Sequence, residues 1–271
     1  MRVGVVLGFA AALLMALPNV ALADAAGSAL GVKPAADADH AGVTETLKVG
    51  SDIFIGDVVK TSTEGQVQIL FADNTKLVVG PNSSLKIEDY LLRNNGSPGK
   101  FAVDLLGGTF RFATGDADKS KYKIDTPTGT IGVRGTRFDI FVDLDGVTRI
   151  LHYQGIVRFC TKTNKCQELS KDCTIGQLSS DAVILGNTND INGPARDTIK
   201  AEFRYSNNEA PLLRQFRFGP IAFDCTHRAP GPVNTDTGTK PSNPSPDRPS
   251  NPTPPGGGGG GGVIFFNRGP R

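Results

Sequence analysis

Histidine is scarce in this chain, catalytic signatures are missing, and no long apolar run occurs beyond the first 23 residues. Three histidines, His40, His152 and His227, lie far apart in 271 residues, so a histidine-activated nucleophile has little to be built from. No Gly-x-Ser-x-Gly elbow, His-Glu-x-x-His pair, phosphate-cradling glycine loop or dinucleotide fingerprint is present, which removes the sequence support for the chemistries those motifs carry. No cofactor is implied. The net charge is only +2, so there is no global field to gather nucleic acid or anionic lipid, and nucleic acid is not an expected partner. The four cysteines are separated by five, six and fifty-one residues with no Cys-x-x-Cys, a poor zinc spacing, and no metal is expected.

What is present begins with a leader. Arg2, an apolar run from Val3 to Leu17, then Pro18-Asn19 and Ala21-Leu22-Ala23 ahead of Asp24 follow the order of a secretory signal peptide,. Cleavage after Ala23 is expected, leaving no transmembrane span; Pro18 and Asn19 shorten the run that a retained anchor would need. Residues 24–43 are Ala, Gly and Asp with Pro34 and no apolar periodicity, and read as a flexible linker carrying an isolated His40.

From Thr44 onward, apolar residues alternate. Leu47/Val49, Ile53/Ile55, Val67/Ile69, Leu85/Ile87 and Phe101/Val103/Leu105 are separated by turn formers such as Thr63-Glu64-Gly65 and Asp73-Asn74-Thr75,. The expected fold is all-β: a twisted meander forming a two-layer sandwich or solenoid-like sheet over residues 44–160. Gly108-Thr109-Phe110-Arg111-Phe112 and Gly155-Ile156-Val157-Arg158-Phe159 look alike. They read as equivalent rungs or as two unrelated amphipathic strands, with Arg111 and Arg158 facing outward in either case. Residues 226–271 are rich in Pro, Gly, Asn and Ser and end in a short apolar patch, Val263–Phe266, a composition that favours a disordered tail.

The stretch from Ile124 to Val142 carries the sharpest local signal. Ile131 and Val133 are odd-numbered whereas Phe138, Ile140 and Val142 are even-numbered. A strand with one buried face changes phase only through an inserted residue, so a β-bulge is expected between Arg134 and Thr136, with Gly135 supplying the backbone freedom. Thr126-Pro127 ends the preceding strand, since proline cannot donate to a ladder.

Beyond a leader, cysteines meet an oxidising compartment. Thr161 to Lys165 reads as a turn between paired strands, which favours Cys160–Cys166 and leaves Cys173–Cys225 to close the longer loop. Residues 161–225 then form a disulfide-stapled extension. Within it, Pro194 at a first-turn position and Ile199/Phe203 four apart predict a short helix over Ala195–Tyr205.

Thr126-Pro127, Ile131-Gly132-Val133-Arg134-Gly135-Thr136 and Phe138 together resemble the signature of the FecR domain family, named after the periplasmic regulator of ferric-citrate uptake. The resemblance runs from about Val49 to about Phe159. It takes in Gly56–Thr61, Leu70–Leu77, Leu105–Phe112 and Gly146-Val147-Thr148 leading to Gly155. It implies a periplasmic or secreted protein of a Gram-negative bacterium, acting with a protein or cell-envelope component. The transmembrane regulators of the family carry a sigma-factor-binding segment ahead of their membrane helix. Here only Met1 and Arg2 could lie in the cytoplasm, so direct sigma-factor regulation is not expected.

Candidate site residues follow from the same stretch. Pro127, Gly132 and Gly135 form the structural signature. Arg134, Arg137 and Thr136 are the candidate binding residues, although a guanidinium at a bulge is better suited to the structural role of satisfying unpaired backbone carbonyls. Asp143-Leu144-Asp145-Gly146 reads as a hairpin turn rather than a calcium loop. The expectation is an exported, non-enzymatic binding module; the alternatives are a component of an extracytoplasmic signalling pathway acting through a membrane partner, and an enzyme acting on envelope polysaccharide.

Overall fold

A computed structural model describes residues 25–92 and 98–227; the expected leader, nearly all of the expected tail and most of the loop at 94–99 lie outside the described residues. Among the described residues, fifteen strands form one open, mixed sheet. They are β1 (Gly27–Lys33), β2 (Ala36–His40), β3 (Val43–Thr46), β4 (Asp52–Ile53), β5 (Val58–Thr61), β6 (Gln66–Phe71), β7 (Lys76–Val79) and β8 (Ser84–Leu92), then β9 (Pro98–Ala113), β10 (Tyr122–Thr126), β11 (Gly129–Val142), β12 (Thr148–Thr161), β13 (Cys166–Leu169), β14 (Thr174–Leu178) and β15 (Ala182–Asn187). The main path runs β15-β14-β12-β11-β10-β9-β7-β6-β1-β4. Its one parallel pairing is β9 with β10.

Two expectations change. Residues 27–40 are not a linker: β1 pairs with β6 and β4, and β2 with β3 and β5. The buried positions there are Ala29, Ala36 and Ala38, so the alternation is written in alanine and escapes a search for large side chains. Space is short at the start of β1, where a Cβ on Gly27 would stand 2.7 Å from the Leu70 carbonyl oxygen. The meander is also interrupted, because β5 pairs with β2 and β8 rather than with β6.

The phase change in β11 is a bulge, with the register shifting between Arg134 and Arg137 and Gly135 at φ 63°. The neighbouring long strands change phase as well. In β9 the buried side switches from Phe101, Val103 and Leu105 to Phe110 and Phe112, across Gly108 at φ 106°; in β12 it switches from Ile150 to Val157 and Phe159, across Gly155 at φ 86°. A side chain on Gly155 would collide with the Gly135 carbonyl oxygen, so the two bends meet. This crease divides each long strand into two segments while the inner side chains of both segments join one core. Within that core Phe101 lies edge-on to Phe71 and Phe112, at centroid distances of 4.9 and 5.6 Å, a geometry that aromatic quadrupoles favour.

The two look-alike fragments lie on opposite sides of the crease: Phe110 reaches Ile140 of β11, whereas Phe159 reaches Ile131. They are therefore not equivalent rungs. On the Phe110 side, the outer face is covered by a helical cap comprising α1 (Pro194–Glu202), α2 (Arg204–Asn207) and α3 (Pro220–His227). Pro194 opens α1, where its missing N–H costs nothing,. Ile199, Phe203, Ala222 and Cys225 pack onto Leu151, Tyr153 and Ile175. Both disulfides have the expected partners. Cys160–Cys166 joins paired positions of β12 and β13, and Cys173–Cys225 fastens α3 beside β14.

Candidate binding site at the bulge of the long strands

Under the cap, Val78, Arg111, Asp139, Leu151 and Ile175 form one cross-strand row, each of them almost wholly buried. Arg111 was expected to face outward. It does leave the sheet on its outer side, but the cap covers it, and alternation reports only which side a residue takes. Its Nε and Nη2 donate to Asp139 at 2.7 and 2.9 Å, and its Nη1 donates to Glu209. The Tyr153 hydroxyl donates to Asp139 at 2.7 Å, and the Phe218 ring lies 4.2 Å from the guanidinium carbon. Burial alone would lower the Arg111 pKa, but the Asp139 carboxylate and its hydrogen bonds outweigh it and the net shift is upward, so the group stays charged,. Burial, then Asp139, likewise pushes the Tyr153 phenol up. These groups are spent on joining cap to sheet.

Across the crease the outer face is open. Arg134 is exposed and its guanidinium makes no hydrogen bond or ion pair among the described residues, so the carbonyl-satisfying role expected of it does not apply. Thr136 is buried. Its N–H donates to the Thr114 hydroxyl at 3.0 Å, and its own hydroxyl oxygen has no hydrogen-bond partner among the described residues. It ties β11 to the residue that follows β9. Arg137 is exposed on the capped side, 5.7 Å from the Phe218 ring. The bulge therefore sends Arg134 and Arg137 to different territories.

The residue that joins Arg134 is Arg158. A second cross-strand row, Lys123–Gly132–Arg158–Glu168, spans β10 to β13. Around Gly132 lies a hollow of about 280 Å³ lined by Ser120, Tyr122, Arg134, Ile156, Arg158 and Glu168. Arg158 was legible in the sequence as an outward residue but not as Arg134's neighbour, because that proximity depends on β12 pairing with β11. Pro127 lies between β10 and β11 in the tight turn closed by the Thr126 hydroxyl, which donates to the Gly129 carbonyl at 3.1 Å.

Other candidates are accounted for internally. A larger hollow of about 480 Å³ has Asp143 and Arg204 in its wall, yet an Asp143 carboxylate oxygen accepts from the Asp145 and Val147 amides in the expected hairpin turn. Glu202, raised by burial against the opposing pull of Arg149, is held by that guanidinium at 2.8 Å. His152 is buried, with its ring nitrogens 2.9 Å from the Lys171 and Gly155 carbonyl oxygens. His40 pairs with Asp57 at 2.6 Å. Among the described residues there is no cluster of three or more metal-ligating side chains, and no helix long and apolar enough to cross a membrane.

The architecture is that of a mostly β module, creased at glycines and stapled by two disulfides. Residues 57–158 match the family described as FecR protein. Among solved structures, two of a candidate anti-sigma factor from Parabacteroides distasonis ATCC 8503 match at 12% and 14% identity with TM-scores of 0.39, each covering 48% of this chain and 59% of theirs. The chain thus spans about three-fifths of the length of those proteins. A structure described as a cell surface anchoring domain matches at 32% identity and a TM-score of 0.22, covering 22% of this chain and 82% of that one. No curated protein matches.

Proposed function

We propose that this protein is an exported, non-enzymatic binding module that recognises a protein partner through the open outer face beside the bulge. The observation that carries the reading is the contrast across the crease. On one side Arg111, Asp139, Tyr153 and Glu209 are consumed in holding the cap. On the other, Arg134 and Arg158 stand exposed beside a hollow. Exposed arginines at a pocketed surface are the residues protein interfaces favour. Two disulfides support an extracytoplasmic location, periplasmic or secreted, because such bonds persist where thiols are not kept reduced,. The FecR domain favours a second, compatible reading in which the partner spans the membrane and the module serves an extracytoplasmic signalling pathway.

Photo-crosslinking in intact cells tests the reading. Benzoylphenylalanine replacing Ser120, exposed at the rim of the hollow, should yield one adduct of discrete mass, and replacing Lys60, on β5, should not. No adduct from position 120, or the same adducts from both, would sink the proposal.

A further inference from the structure

Resting on that reading, we propose that the hollow over Gly132 is a carboxylate-binding site and that the surface it serves fits an acidic segment of a partner protein. Glycine is not required at 132 by space, since a Cβ there would meet nothing nearer than the Arg158 carbonyl oxygen at 3.9 Å. Nor is its φ left-handed, unlike that of Gly135 and Gly155. The missing side chain instead leaves room in the row, flanked by Arg158 across the strand and Arg134 two residues on. Neither guanidinium makes a hydrogen bond or ion pair among the described residues, whereas Lys123, on the other flank, is tied to Asp125 at 2.6 Å.

Two guanidiniums offer forked donors to one carboxylate. Glu168 supplies an opposing charge at the far wall, which leaves the lining at a net charge of one and suits a singly charged carboxylate better than a doubly charged phosphate. Ile156, half-buried across the strand from Arg134, provides apolar wall for the methylene stem of a glutamate,.

The test is titration of the full oxidised chain with a capped hexaglutamate peptide, and separately with inorganic phosphate, at low salt. The peptide should bind in preference to phosphate. Arg134→Ser with Arg158→Ser should weaken peptide binding by about tenfold or more, and Gly132→Leu should do the same by filling the hollow. Glu168→Gln should tighten it, and Lys60→Ser should change it by less than about twofold. The assignment is overturned if the double arginine variant binds like the parent, if Lys60→Ser weakens binding equally, or if phosphate is preferred. Because both arginines are exposed, that variant folds even if Gly132→Leu does not. Failure here with the position-120 adduct intact removes only the carboxylate assignment. A missing adduct, with peptide binding still dependent on Arg134 and Arg158, removes the partner-protein reading instead.

Discussion

Arg111 and Arg158 sit in nearly the same local sequence, apolar–Arg–aromatic, and have opposite fates. Removing Arg111 leaves the buried Asp139 and the part-buried Glu209 without their cation. Arg111→Met should therefore cost about 3–5 kcal/mol in denaturant unfolding, whereas Arg158→Ser should stay within about 0.5 kcal/mol. Equal costs would contradict the burial described. The sequence could not separate them, because period two states which face a side chain takes and not whether another element covers it. Asp104 illustrates a residue held against its preference. Burial, then Asp125 directly across in β10 and Glu88, raises its carboxyl above the ordinary 3.8. A raised folded-state pKa means the folded protein binds the proton more tightly, so ionisation costs stability as pH rises through that value. Asp104→Asn should thus raise the melting temperature slightly at pH 7, by no more than about 2 °C for a chain of this size, and the gain should vanish at pH 3. A gain unchanged at pH 3 would show that charge is not the cause.

The elements differ in how openly they were written. The crease was legible in β11 because large residues change parity around Gly135, and both disulfide partners followed from one turn. The strands of residues 27–40 were hidden by alanines at their buried positions, and α3 by the modest residues it buries, Ala222, Cys225 and Thr226. Gly155→Ala places a side chain against the Gly135 carbonyl at a left-handed φ of 86° and should cost at least about 2 kcal/mol, with Gly132→Ala near zero as the comparison in the same melts. Deleting residues 25–41 strips partners from β5 and β6 and should abolish a cooperative unfolding transition. A dispensable linker would leave the midpoint where it was.

For the molecule as a whole, the cap is fastened twice, by the Arg111 network and by Cys173–Cys225. In chain-entropy terms the bridge of sequence separation 52 contributes about 4 kcal/mol and the one of separation 6 about 2 kcal/mol,. Replacing Cys173 and Cys225 by serine should therefore lower the denaturation midpoint more than replacing Cys160 and Cys166. The reverse order, or four free thiols in exported protein by non-reducing peptide mapping, would contradict the staple. The site was partly legible: Arg134 was visible, whereas its companion Arg158 and the role of Gly132 depend on register between strands distant in sequence. The fold line through Gly108, Gly135 and Gly155 has a further consequence. By separating the sealed half of the surface from the wet half, it lets one half drift toward new acquaintances under selection while the other goes on guarding the architecture.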